Sequence, residues 1–325
     1  MVYVLIALAL VFDFLNGFHD SSNVVATPIS SGAMHPRAAL YTAAVVHFIA
    51  PFLFGVAVAT TIGEGLLDDS VVTINVVVAG LFSAVVWNLL TWYLGLPSSS
   101  SHALVGGLLG AAILAQGIDV VQTSGLTKIM IALLLSPVMG LVFGFLLMKL
   151  TLWLVRKAPP SINNVFKKAQ IVTLVGLALS HGTNDAQKTM GVITMGLLAA
   201  GLIPSFHVPL WVIALSSTAI AAGTALGGWR LIRTLGAKIY RIRPIHGLTS
   251  QLASAAVIMG AALVGGPVST TQVMSSAIMG VGAAERLSKV RWLVLRDLAT
   301  AWLLTIPSTA AISALVWLVL NLLGV

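Results

Sequence analysis

The sequence predicts an all-α integral membrane protein with about ten membrane segments, arranged as two inverted five-segment repeats whose helices are broken in places. Three observations lead there. Hydrophobic residues make up 58% of the 325-residue chain and charged residues only 8%, where a soluble domain would carry about 25% charged. Apolar runs of roughly 18 residues or more, enough to cross a hydrocarbon core of about 30 Å, recur from end to end. Short motifs in the first half also return in the second at a nearly fixed spacing.

In chain order the segments are 1–32, 38–62, 70–96, 99–116, 126–155, 169–200, 208–229, 245–265, 268–284 and 291–324. The first sixteen residues lack a positive leading region and a small-residue cleavage site, so they read as a retained span and not as a signal peptide. Pro51, Pro137 and Pro307 fall inside segments. Such breaks are tolerated where neighbouring helices or an aqueous cavity satisfy the freed backbone groups.

The loops alternate in charge. Basic residues gather in the first (Arg37), fifth (Arg156, Lys157, Lys167, Lys168), seventh (Arg230, Arg233, Lys238, Arg241, Arg243) and ninth (Arg286, Lys289, Arg291). Acidic residues gather in the second (Glu64, Asp68, Asp69) and fourth (Asp119). If all ten segments cross, every strongly basic loop faces the cytoplasm and both termini lie outside a cell (inner) membrane that the chain crosses many times. The formal charge of +8 is accounted for by these loops and gives no reason to expect a nucleic-acid partner. Zero cysteines exclude disulfides, thiolate metal sites and thiol catalysis.

The halves match motif by motif. "PSSSSHALVGGLLG" (97–110) aligns with "PVSTTQVMSSAIMG" (267–280) at an offset of 170, which also pairs Pro137 with Pro307. "GFHDSSN" (17–23) aligns with "GTNDAQK" (182–188) at an offset of 165. The expected organisation is therefore a first repeat over 1–155, a cytoplasmic linker over 156–168 and a second repeat over 169–325. Five spans per half make the second enter from the opposite face, an arrangement common in secondary transporters.

Two kinds of motif can carry chemistry. Asp20 with Asn23, and Asp185 with Lys188, are each three apart and so share a helix face. Gly17 and Gly182 precede them, where unwinding could free carbonyls for an ion. A charge inside a membrane segment costs at least about 2.5 kcal/mol and normally has a functional cause. The second kind is the Ser/Thr run after proline: Ser99, Ser100, Ser101 and His102 after Pro97, and Ser269, Thr270, Thr271 and Gln272 after Pro267. A helix starting there offers free N–H groups, a positive dipole end and hydroxyl donors, a combination suited to an oxyanion. His47 reads as a packing hydrogen-bonder, and His35, His207 and His246 as loop residues. His19, His102 and His181 adjoin the motifs, and Asp13 is left as a buried helper or a pore-lining charge. Gly106 and Gly110, with Ser276 and Gly280 at the same offset, read as close helix packing.

At "GFHDSSNVVAT", "SHGTNDAQKTMGVI", "PSSSSH" and "PVSTTQ" the chain resembles the inorganic phosphate transporter family, specifically its bacterial low-affinity Pit-type members. The resemblance spans the whole chain. It implies phosphate uptake coupled to a cation, no cofactor, an inverted-repeat fold and a homodimer in the lipid bilayer. The substrate would be inorganic phosphate, bare or as a metal–phosphate complex. Carried over by position, Asp20, Asn23, Asn184 and Asp185 resemble the cation and phosphate region, and Ser99 to Ser101 with Ser269 to Thr271 the phosphate cradle. From this chain's own residues, His19 joins the coupling set and Lys188 the phosphate-binding set. Sodium-coupled members typically have Asn where this chain has His19 and again where it has Lys188. Those departures point to H+ as coupling ion; if the ion is Na+, Asp20, Asn23 and Asp185 are its candidate ligands.

The leading reading is thus a phosphate–cation symporter working by alternating access. Protonated phosphate species can donate to Asp20 or Asp185, whereas sulfate at neutral pH cannot, although the superfamily includes a sulfate-carrying branch. An intramembrane serine hydrolase using Ser98–Ser101 and His102 is the competitor from another class, but Gln272 replaces the base in the second copy.

Overall fold

The computed structural model describes residues 1–68 and 72–324; Asp69 of the acidic loop and the first two residues of the segment expected at 70–96 lie outside the described residues. Among the described residues the regular structure is helical, apart from one isolated bridge between Leu67 and Val121. Twelve α-helices follow one another, in two sets of six. The first set is α1 (Val2–Ser30), α2 (Pro36–Ile49), α3 (Ala57–Gly63), α4 (Ile74–Leu94), α5 (Ser100–Gln116) and α6 (Thr123–Leu154). The second is α7 (Ile162–Ala199), α8 (Leu210–Leu226), α9 (Trp229–Arg233), α10 (Pro244–Leu263), α11 (Thr270–Arg286) and α12 (Trp292–Leu322).

Among the described residues five helices, α1, α4, α6, α10 and α12, are long and apolar enough to cross a membrane, or up to seven spans if each bent pair counts as one. The segment expected at 38–62 is one of those pairs: α2, continued by a short 3-10 turn at Ala50–Phe52 that contains Pro51, meets α3 at 76° across the break before Ala57. The other is α8 with the α9 region, bent by 60° at Gly227 and Gly228. α5 and α11 have 17 residues each, roughly 26 Å of helix and so short of a full hydrocarbon core. α7 starts at Ile162, inside the expected linker, and runs unbroken for 38 residues.

The expected unwinding at Gly17 and Gly182 does not occur, because both lie inside continuous helices. Their missing side chains serve close approach instead. A Cβ on Gly17 would sit 2.1 Å from the Ile220 carbonyl oxygen of α8, and one on Gly182 3.1 Å from the His47 Cα of α2. The backbone freedom of glycine is used at Gly95 and Gly265, which end α4 and α10 at φ 69° and 71°. Each turns the chain into the Pro-Ser or Pro-Val stretch before α5 or α11.

The two sets pack across each other reciprocally. α1 lies on α8 and α7 on α2; α5 lies on α12 and α11 on α6. Close packing at small residues makes these contacts, as the spacing of glycines predicts. A Cβ on Gly110 would be 2.2 Å from the Ala310 oxygen of α12, and one on Gly280 2.1 Å from the Leu141 oxygen of α6. α6 and α12 expose Leu134, Leu146, Leu303 and Leu315 on their outer faces, surface suited to lipid tails. The polar residues go inward, to where α1, α5, α7 and α11 meet.

Candidate functional site

α5 and α11 begin alike. Ser99 and Ser269 are extended residues whose hydroxyls accept from the His102 and Gln272 N–H groups, at 3.1 and 3.4 Å. This capping fixes the first turn and leaves Ser100, Thr270 and Thr271 on the aspartates of α1 and α7, while Ser101 donates to the Val268 carbonyl at 2.9 Å. Ser99 also lies 2.7 Å from His102 Nδ1, so it serves its own helix and does not reach the charged centre. The same cap at Ser269, where Gln272 stands in place of histidine, makes this a structural device.

Ser100 Oγ lies 2.8 Å from Asn16 Oδ1 and 3.2 Å from Asp20 Oδ2, two acceptors for its single proton. Thr270, at the matching place, donates to Asp185 Oδ2 at 3.1 Å. The third hydroxyls cross between halves. Thr271 donates to Asp20 Oδ1 at 3.0 Å, and Ser101 accepts from the Lys188 ammonium at 2.7 Å. Asn23 donates to Thr271 at 3.0 Å and Thr270 at 3.4 Å. Each carboxylate is therefore held by hydroxyls at the start of a short helix, and both helix N-termini converge on one buried place.

The two aspartates differ in their positive partners. Asp185 is paired with Lys188, whose ammonium also donates to Ser101 and to the Val268 carbonyl at 2.9 Å. All three protons of the ammonium are used, and Lys188 is 1% exposed. Asp20 has instead His19, with Nδ1 2.9 Å from Oδ1. Asn184 faces the other way: its amide donates to the Gly266 carbonyl at 3.0 Å and accepts from Val268 N at 3.3 Å, fastening the loop that leads into α11.

Two residues outside the expected set, His181 and Asn16, belong here. His181 lies with Nε2 3.0 Å from Asp185 Oδ2 and stacks at 4.8 Å on His47, which bonds Thr224 at 2.8 Å. Asn16 receives Ser100. Extending the 165-residue alignment one position upstream of Gly17 and Gly182 pairs Asn16 with His181, a signal the sequence did contain. Gln187 reaches out of the site: it accepts from Val58 N at 2.8 Å and donates to the Gly55 carbonyl at 2.8 Å, capping α3. Asp13 is buried on α1 toward Thr189, with no well-aligned hydrogen bond.

Asp20, His181 and Asp185 each offer one ligand atom within 4.8 Å of the others. A cation there would share Asp185 with an ammonium already in place, so like-charge repulsion weighs against it. Around the same point stand two dipole ends, four hydroxyls and the Lys188 ammonium, but the hydroxyls and the ammonium already serve the two carboxylates and the Val268 carbonyl, so an anion bound there needs a positive charge brought with it.

Comparison with known proteins is consistent along the whole chain. A model of the phosphate transporter family matches residues 16–313. A Rhizobium meliloti protein named "Probable low-affinity inorganic phosphate transporter" is 44% identical, over 98% of this chain and 96% of its own length. A Bacillus subtilis protein of the same name is 42% identical, over 99% and 98%. A solved structure described as "The sodium-dependent phosphate transporter" superposes with a TM-score of 0.89 at 25% identity, covering 99% of both chains.

Proposed function

The chain belongs to the phosphate transporter family, and from that premise we propose that it imports inorganic phosphate together with a proton, as a symporter working by alternating access. Its relatives are transporters and permeases, so it is not an enzyme, and the serine hydrolase alternative lapses.

The contrast between Asp20 and Asp185 carries the proposal. Asp185 keeps its neutralising charge whatever else binds, because Lys188 is tethered three residues away. Asp20 is satisfied by Ser100 and Thr271, and these hydroxyls are also the donors an incoming phosphate needs. A hydroxyl has one proton to give. When phosphate takes both, Asp20 is left buried, without those donors and facing an anion, which is costly unless a positive charge arrives with the substrate. A proton held on Asp20 with His19 supplies it. The second half needs no mobile ion, since Lys188 stands where Asn23 stands in the first and lends its charge to the bound anion. Phosphate O–H groups can donate to the carboxylates, which sulfate cannot do at neutral pH.

The halves are read as inverted repeats meeting at the site. Their matching helix order and reciprocal packing support this, as does the alternation of loop charge. Rocking one half against the other would open the site to each side in turn. A sodium-coupled reading is favoured by the sodium dependence of the solved relative and by the grouping of Asp20, His181 and Asp185. It requires Na+ to sit beside the Lys188 ammonium.

Counterflow in proteoliposomes tests the carrier reading. Unlabelled phosphate on the far side should accelerate entry of labelled phosphate, and sulfate there should not. Entry indifferent to phosphate on the far side would sink it.

A further inference from the structure

Lys128 stands apart from the other sixteen lysines and arginines, an anomaly the transport site does not use. It follows Asp119 in the sequence and lines a cavity of about 570 Å³ with Glu64, Thr61 and Ser124, at the acidic-loop end of the bundle. The remaining cations belong to the basic loops or their flanking helix ends, except Lys188 inside the bundle. A lone cation at the acidic face runs against the pattern that orients the chain.

Its surroundings suggest a reason. The ammonium donates to Thr61 of α3 at 3.2 Å, and among the described residues it has no carboxylate partner. It lies against Gly265, where an added Cβ would be 3.2 Å from Nζ. Gly265 opens the loop whose next residue, Gly266, gives its carbonyl to Asn184, and whose Val268 carbonyl receives Lys188. One short loop is therefore the wall between this cavity and the buried site. The corresponding place in the other half shares the glycine and a neighbouring threonine, with its cations on α9 and not on the counterpart of α6. There a cavity of about 370 Å³ is lined by Gly95, the counterpart of Gly265, with Arg230, Arg233 and Thr234. Thr234 donates to the Gly95 carbonyl at 3.3 Å.

We propose that Lys128 holds phosphate in this cavity before it enters the site, a staging position on the acidic face matched by Arg230 and Arg233 on the basic face. This rests on the transport reading above. The cavity has room for the ion and several waters at ~30 Å³ each. Lys128, exposed on the wall of the cavity, would concentrate an anion that Glu64, Asp68 and Asp119 otherwise repel. Glu64 lines the same cavity and should act in the opposite sense.

The test is initial-rate uptake of labelled phosphate by cells lacking their own phosphate uptake systems, comparing the parent with K128Q, K128R and E64Q at low and high ionic strength. K128Q should raise KM at low salt by about threefold or more, within the range of electrostatic steering, and lower Vmax far less. K128R should keep the parental KM, and E64Q should lower it. Added salt should raise the parent's KM while leaving that of K128Q nearly still, because mobile ions screen the attraction. A parental KM in K128Q, or a fall in Vmax alone, would overturn the staging site while leaving the transport reading intact. No phosphate uptake by the parent would instead remove the transport reading, and this site with it.

Discussion

Ser100 and Thr270 occupy equivalent places, each with its hydroxyl on the aspartate of its own half. Replacing either with Ala removes a donor both to a buried carboxylate and to the proposed substrate. A hydrogen bond to a charged group is worth about 1.5–3 kcal/mol, so phosphate binding should weaken roughly ten- to a hundredfold with the protein still folded. Unchanged binding in both variants, read by titration of the purified protein, would reduce these residues to packing elements. Lys188 makes a sharper case. Removing one partner of a buried ion pair leaves an uncompensated charge and costs about 3–5 kcal/mol. K188N should therefore lower the unfolding temperature markedly, and adding D185N should recover much of the loss. If the double variant is as unstable as the single one, the ammonium supports the fold through Ser101 and Val268 and not through Asp185.

At the scale of helices, the glycines of α5 explain how this short helix seats closely against α12 and α4. G110A would press a methyl into the backbone of α12, where the nearest atom lies at 2.2 Å. Overpacking of this kind costs typically about 1–3 kcal/mol. G176A on α7, where nothing lies within 4 Å, should be neutral or slightly stabilising, since alanine favours helix. Equal melting temperatures for parent and G110A would show that α5 and α12 are less tightly joined than the structure implies. Most of this architecture was legible in the sequence. The offsets of 165 and 170 aligned the paired aspartates and the Ser/Thr clusters, and Pro97 and Pro267 marked where the short helices begin. The bends after α2 and α8 were not legible, because an apolar run looks the same whether its helix is straight or folded back. Gly17 and Gly182 misled for a related reason. Glycine in a helix can mean unwinding or close approach, and only the neighbouring helix decides. The reach of Gln187 to α3 and the stack of His47 on His181 depend on that same packing.

For the whole molecule, the proposed inversion makes a claim about sides. Single cysteines at Asp68 and Asp119 should label from outside, and ones at Lys157 and Arg241 from inside, against a chain with no native cysteine. Labelling of positions 119 and 157 from the same side would refute the arrangement of five spans and five.

A mobile proton on one half and a tethered ammonium on the other predict what drives transport. Labelled phosphate uptake into proteoliposomes, with sodium and proton gradients imposed separately, measures this directly. An inward proton gradient alone should drive accumulation, a sodium gradient alone should not, and D20N should lose the proton-driven component. Accumulation driven by sodium and indifferent to pH would contradict it, and Lys188 could then no longer be read as a tethered stand-in for a coupling ion.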